Sequence, residues 1–232
     1  MLAAAIIPAG ASGAQVERQG WTGHRLSGHG SVTRWAHPAS LAPVRVSPRR
    51  NSRQITSTRY LTEDSYPEVY IALRSLRDPR GVEWTRVRVP MRPNGRTGWV
   101  RRESLGPFYK VNTKFIVNRN RGVAALYNFG RRIWKAPVGT GAPGTPTPGG
   151  NFWIREKFRT GEPGSLYGPV AFGTSNYSVL SDWPGGGVIG IHGTDQPGLI
   201  PGKVSHGCIR VRNGAVLRLF RLMPIGTPVF IH

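Results

Sequence analysis

The order of apolar and polar residues along the chain reads mostly as short strands. Val69-Tyr70-Ile71-Ala72-Leu73, Trp84-Thr85-Arg86-Val87-Arg88-Val89 and Thr97-Gly98-Trp99-Val100 are β-branched and aromatic runs. The middle run alternates apolar with polar residues, mostly basic, as a strand buried on one side does. Asp78-Pro79-Arg80-Gly81 and Arg92-Pro93-Asn94-Gly95 supply turns between them. Further strands are predicted at Lys114–Val117, Ala124–Asn128, Arg132–Val138, Asn151–Lys157, Val188–His192 and Pro228–Ile231. Asn128-Phe129-Gly130-Arg131 suits a hairpin turn, and the Gly- and Pro-rich stretch from Gly139 to Gly150 reads as a loop. One segment has a helical period. Ala215, Val216, Leu219, Phe220 and Leu222 alternate with Arg218 and Arg221, predicting a short amphipathic helix over Asn213–Leu222, ended by Pro224.

Residues 16 to about 58 lack either period and are rich in Arg, Gly, Ser, Pro and His, which predicts a flexible arm or linker. His24, His29 and His37 are scattered there without carboxylate or thiol companions and form no metal pattern. Residues 1–15, MLAAAIIPAGASGAQ, are apolar and end in small residues like a secretory leader, but without its basic start. They predict a truncated signal segment and hence export to the cell wall or the extracytoplasmic face. The run Leu2–Pro8 is too short to span a bilayer.

Composition changes the picture in one respect. The 232 residues hold 32 Lys+Arg against 11 Asp+Glu, a net charge of +21. Such a field attracts polyanions. The arginines are dispersed, and no nucleic-acid motif accompanies them, so the charge points to anionic envelope polymers or to plain solvated surface rather than to nucleic acid. The single cysteine excludes an internal disulfide, and one thiolate is poor material for structural zinc. No metal or other cofactor is called for.

That one cysteine carries the candidate chemistry. A lone cysteine is often only a small buried hydrophobe. Here it lies in Ser205-His206-Gly207-Cys208-Ile209-Arg210, downstream of a second histidine in Ile191-His192-Gly193-Thr194. A thiol becomes a nucleophile when a base or a local field favours its thiolate. In an extended strand His206 and Cys208 would share a face. The Gly- and Pro-rich stretch from Gly193 to Gly202 reads as a surface loop able to fold over a cleft.

These motifs resemble the signature of the L,D-transpeptidase family, with its YkuD-type catalytic domain. The likeness extends to the hairpin from Phe115, to Thr145-Pro146-Thr147-Pro148-Gly149-Gly150-Asn151-Phe152 and to Asn213, over about residues 110–232. The Trp84, Pro-Asn-Gly and Gly-Trp99-Val pattern similarly resembles a bacterial SH3-like module. The resemblance therefore implies a mainly β protein. A small SH3-like β-barrel over 59–108 would precede a β-rich catalytic domain over 110–232, with a short helix after the nucleophile. Trp84 and Trp99 are read as core rather than as a binding groove.

The resemblance further implies a cysteine acyltransferase that joins peptidoglycan stem peptides, a donor tetrapeptide and an amine acceptor, into 3-3 cross-links. Carbapenem-type inhibitors would acylate it. Cys208 would be the nucleophile and His192 the base, its tautomer set by the Gly193 carbonyl, with His206 in support. Gly207 and the Cys208 amide would hold the oxyanion. Arg210 would bind substrate carboxylate or favour the thiolate, and Ser205 would line the site. An L,D-carboxypeptidase, another cysteine hydrolase of wall peptides and a non-catalytic wall-binding protein remain open on the sequence.

Overall fold

The computed structural model of the chain describes residues 20–28, 32–161, 164–182 and 184–232. The leader-like residues 1–15 and His29 lie outside the described residues. Two sheets account for nearly all of the regular structure.

The first sheet contains β1 (Thr22–Arg25), β2 (Thr33–Ala36), β3 (Pro43–Arg45), β4 (Gln54–Ser57), β5 (Tyr70–Arg77), β6 (Glu83–Arg88), β7 (Thr97–Arg101) and β8 (Tyr109–Val111). The order is β4-β3-β7-β6-β5-β2-β8, and β1 pairs with β5 ahead of β2 on the same edge. Ala36, Val44, Tyr70, Val87 and Val100 fill its core. Trp84 and Trp99 are buried, as core residues should be.

Two expectations are corrected here. The arm predicted over residues 16–58 contains four strands, and Trp35, Ala36, Val44 and Thr58 within it are buried. These strands are three or four residues long, too short for a period of two to show. The first unit thus begins by Thr22 rather than at 59, and β8 extends it to Val111.

The second sheet contains β9 (Thr113–Asn118), β10 (Val123–Asn128), β11 (Arg131–Gly141), β12 (Gly150–Arg159), β13 (Val170–Tyr177), β14 (Val188–His192), β15 (Gly202–Ser205), β16 (Ile209–Val211) and β17 (Pro228–Ile231). Its order is β10-β9-β17-β12-β13-β14-β16-β11-β15, with β10 also paired to β11. The hairpin between β10 and β11 turns at Phe129 and Gly130, both at positive φ. The helix α1 (Asn213–Leu222) lays Val216 and Leu219 on Phe172, Ile191, Ile209 and Val211. It is the one α-helix among the described residues, and no helix there is long and apolar enough to cross a membrane.

The two units meet over apolar and charged contacts. Trp35, Val69, Ile71 and Val111 pack with Trp153, whose indole donates to the Val69 carbonyl at 2.8 Å. Beside them Arg155, fully buried, donates to both carboxylate oxygens of buried Glu68 at 2.7 and 2.5 Å and to Glu63 at 2.8 Å. Arg59 binds the same two glutamates, each at 2.8 Å. A buried charge is tolerable only when paired this fully.

Candidate active site

The site is built where β14 lies parallel to β16. Ile191 faces Ile209 and His192 faces Arg210. Both isoleucines point into the core under α1, so the alternate residues turn to the other face. That face therefore collects Gly190 and His192 from one strand and Cys208 and Arg210 from the other. A Cβ on Gly190 would stand 3.5 Å from His192 Cδ2 and 3.7 Å from Cys208 Sγ. Thiol and imidazole border one patch of bare backbone.

The amide of Gly190 donates to Cys208 Sγ at 3.3 Å. His192 is buried, and its Nδ1 lies 2.6 Å from the Gly193 carbonyl oxygen. A carbonyl only accepts, so Nδ1 carries the hydrogen and Nε2 is left as the basic nitrogen. Tyr167 sets its ring edge-on to the imidazole at 4.9 Å. The turn after His192 is fixed as well. Asn213, at the start of α1, accepts from the Thr194 amide at 2.8 Å. Gly168 packs so closely there that a Cβ would lie 2.6 Å from Gly193 Cα.

Electrostatics keep both groups neutral at rest. Burial pulls His192 down to about 4, the Gly193 bond opposes this, and the Arg210 charge adds to it. Burial pushes the Cys208 thiol up, against the Gly190 amide and the Arg210 charge, which favour the thiolate. Arg210 itself is half-buried. One of its terminal nitrogens donates weakly to Gln196 Oε1 at 3.4 Å, and its Nε is buried without a partner among the described residues.

The nucleophile sits just past a tight turn. β15 ends at Ser205, the chain bends at His206 and Gly207, and β16 starts at Ile209. Gly207 has φ +122°, and a Cβ there would press on Ile189 Cδ1 at 2.6 Å, so glycine is required. Ser205 Oγ donates to the Cys208 carbonyl at 2.6 Å and accepts from the Gly207 amide at 3.2 Å, closing the turn on itself.

This geometry corrects two expectations. His206 and Cys208 do not share a strand face, because the bend intervenes. His206 is exposed, and its carbonyl accepts from Ser178 Oγ at 3.3 Å. The Gly207 amide is engaged by Ser205, leaving the Gly190 amide as the donor aimed at the thiol. Cys208, His192, Gly193 and Arg210 are otherwise brought together, while Ser205 organises the turn rather than lining an open surface.

The structure adds residues the sequence reading passed over. Thr147 is buried, donates to the Gly207 carbonyl at 2.7 Å and accepts from the Gly141 amide at 2.9 Å, tying the Thr-Pro turn to the nucleophile. Its place in that motif was the available signal. Gly190 was visible only as a small residue two before His192. Arg92, from the first unit, donates to the carbonyls of Ser178, Leu180 and Gly186 at 3.2, 3.1 and 2.9 Å, and nothing local marks it.

The YkuD family, the L,D-transpeptidase catalytic domain, matches residues 112–231, just over half of the chain. A Bacillus licheniformis protein named as an L,D-transpeptidase, YkuD, is 34% identical over 118 residues, covering 51% of this chain and 64% of that protein. Its Bacillus subtilis counterpart is 35% identical over 102 residues, covering 44% and 55%. The chain thus spans less than two thirds of the length of either relative. Among solved structures, an Enterococcus faecium L,D-transpeptidase is 27% identical, with a TM-score of 0.40, over 52% of this chain and 50% of that one.

Proposed function

The chain belongs to the L,D-transpeptidase family through its YkuD-type catalytic domain, and from that premise we propose that it is an exported enzyme forming 3-3 cross-links between peptidoglycan stem peptides. The observation that carries this reading is the site on Gly190. A thiol of raised pKa and an imidazole of lowered pKa flank one glycine, with the imidazole tautomer fixed by the next carbonyl.

Cys208 is the nucleophile, and His192 Nε2 takes its proton as Sγ adds to the donor carbonyl. The tetrahedral oxyanion draws on nearby amides, a contribution of roughly 3 kcal/mol per donor in other acyl-transfer sites. The C–N bond then breaks, His192 returns the proton to the departing amine, and a thioester remains. The acceptor amine attacks the thioester and gives up a proton to His192, and the thiol is restored. The Gly193 carbonyl holds the imidazole in its working tautomer throughout, as a third group does in other triads. Gly190, half-exposed between the thiol and the imidazole, leaves the backbone bare where a donor carbonyl approaches Cys208. Arg210 sits beside it as a planar cation suited to a carboxylate. His206, exposed on the turn, borders the entrance.

A strained β-lactam of the carbapenem type presents the same kind of carbonyl and would acylate Cys208. The first unit, a small antiparallel sheet with a closed core, is read as an SH3-like module that keeps the enzyme at the wall. The excess positive charge favours anionic envelope polymers there.

The test is mass spectrometry of muropeptides after incubation with a purified tetrapeptide donor and an amine acceptor. Cross-linked dimer and released D-amino acid are expected, both lost in Cys208→Ala. Release without dimer would make the protein an L,D-carboxypeptidase. An intact acyl adduct surviving in Cys208→Ala would remove the nucleophile assignment.

A further inference from the structure

Away from the thiol, a groove of about 1180 Å³ runs between the first unit and the β10-β9-β17 end of the second sheet. One wall is basic. Arg25 faces Arg74 across β1 and β5, and Arg74 faces Arg86 across β5 and β6. Arg88 follows two residues on from Arg86, so four guanidinium groups share one surface. A register shift between Ala72 and Arg74 turns Arg74 onto that surface, where the regular alternation would have sent it into the core. Lys114 adds a fifth cation from the opposite side, and Tyr127 and Phe230 complete that wall.

Like charges placed directly opposite on neighbouring strands repel, and three in a row is a costly arrangement. A carboxylate nearby would relieve it. Among the described residues none lines the groove. The ion pairs among the described residues go to Arg59, Arg77, Arg101 and Arg155 instead. Arg74 Nε is buried with no partner among the described residues. Among the described residues Arg86 donates to the Thr97 hydroxyl at 2.9 Å and Arg88 to the Asn151 carbonyl at 3.4 Å. Burial and the Arg86 charge pull Arg88 below its ordinary pKa, the mark of a cation lacking its counter-ion. The repulsion is stored beside an open channel with an aromatic wall, and a chain of oxyanions on a sugar backbone would use both features.

We propose that this groove binds an oxyanion-bearing glycan polymer of the cell envelope, its phosphates or carboxylates on the row Arg25, Arg74, Arg86 and Arg88 and its sugars against Tyr127 and Phe230. Guanidinium forks suit both oxyanions, and strands about 4.8 Å apart present them as a ladder. The groove is lined from β9, β10, β12 and β17 of the second sheet, and Gly190, His192, Cys208 and Arg210 are not among its lining residues. A polymer held here leaves the thiol open to a stem peptide. Naming an envelope polymer rests on the wall-enzyme reading, whereas the anion site itself does not.

The experiment measures binding of the whole chain to a fluorescent phosphomannan, to polygalacturonate, to a neutral chitin oligomer and to random-sequence duplex DNA, across a salt series. It compares wild type with Arg74→Gln/Arg86→Gln and with Arg49→Gln/Arg50→Gln, which removes the same charge from an exposed loop. At least one anionic glycopolymer should bind, the tighter one naming the source. The groove variant should lose about tenfold or more in affinity, as expected when charge-assisted contacts go, and the loop variant less than about threefold. The groove variant should melt no lower than wild type, because its repulsion is relieved, and this separates lost contacts from lost fold. Equal losses in the two variants would reduce the site to diffuse charge and overturn the proposal. So would failure of both anionic polymers to bind, or equally tight neutral binding. Tighter DNA binding, lost with the groove arginines, would replace the polymer with nucleic acid. Polymer binding involves no turnover, so failure of the acyl chemistry at Cys208 and failure of the groove register in separate assays.

Discussion

Glu63→Gln is the sharpest probe of how the two units are joined. The side chain of Glu63, on an exposed residue, is itself one-fifth exposed and accepts from Tyr177 at 2.6 Å, from Arg59 at 2.8 Å and from Arg155 at 2.8 Å. Burial alone would raise its pKa. The Arg155 charge, the Tyr177 bond and the Arg59 charge outweigh that and hold the carboxyl down from 4.5 to about 2. A depressed carboxylate stabilises the fold above its unfolded pKa, and the gain disappears as pH falls through the folded value. At 1.36 kcal/mol per pKa step the full shift would be about 3 kcal/mol, and solvent screening of a carboxyl this exposed brings the gain at neutral pH to about 1–2 kcal/mol. Glutamine keeps the shape and an accepting oxygen but not the charge. Urea unfolding of both proteins at pH 7, 5, 3.5 and 2.5 gives the difference, in which other titrating groups cancel. The gap should be about 1–2 kcal/mol at pH 7, begin to close below pH 4.5 and nearly vanish by pH 2. A gap as large at pH 2.5 as at pH 7 would make the effect one of packing. No gap at pH 7 would mean that desolvation cancels the pairing.

Other consequences follow from the same contacts. With His192 near 4, the acid limb of kcat/KM should fall near pH 4 rather than near the 6.5 of a free imidazole, as a pH–rate profile on a soluble donor will read. Thr147→Val removes the hydroxyl's bonds to the Gly207 carbonyl and the Gly141 amide, so it should cost about 1–3 kcal/mol in unfolding free energy and slow acylation by a β-lactam. Arg92→Ala frees three carbonyls of the 178–187 segment. Hydrogen exchange there should quicken while the β9–β10 hairpin keeps its protection, and unchanged exchange would show that Arg92 does not hold the segment.

How far these features could be read in advance depended on local pattern. The helix Asn213–Leu222 and the strands Val188–His192 and Pro228–Ile231 have the limits the sequence predicts, because each shows its period and its stop signals within its own length. β13 did not. Gly173, Thr174, Ser175 and Asn176 look like loop, yet the whole strand is buried. Its polar groups are satisfied from other segments, Thr174 by the Ile189 carbonyl at 2.6 Å and Asn176 by Pro148 and Asn94. Burial of a polar run is legible only once its partners are in place. The same holds at the site. Motif order named Cys208 and His192. The bend at Gly207, which exposes His206 and engages one of the two predicted oxyanion donors, follows from Ser205 and Thr147 closing on the turn from either side.

Arg210 offers the remaining way to separate roles within the site. Its charge lowers the pKa of both His192 and Cys208. It therefore helps one partner of the proton transfer and hinders the other, and its net effect on that step at neutral pH should be small. The two limbs of the pH profile do not cancel in this way. Arg210→Gln should raise both groups, moving the acid limb and the alkaline limb of kcat/KM toward higher pH together, as apparent values of the coupled pair. Binding of a substrate carboxylate makes a different signature. Loss of that contact would raise KM for donors ending in a free carboxylate and spare the amidated donor, with the limbs in place. Profiles for both donors in wild type and Arg210→Gln distinguish the two. Limbs that move for either donor assign Arg210 to the field at the thiol. A KM effect confined to the free carboxylate assigns it to the substrate. Neither change would leave Arg210 a strand residue outside the chemistry, and the thiolate would then depend on the Gly190 amide alone.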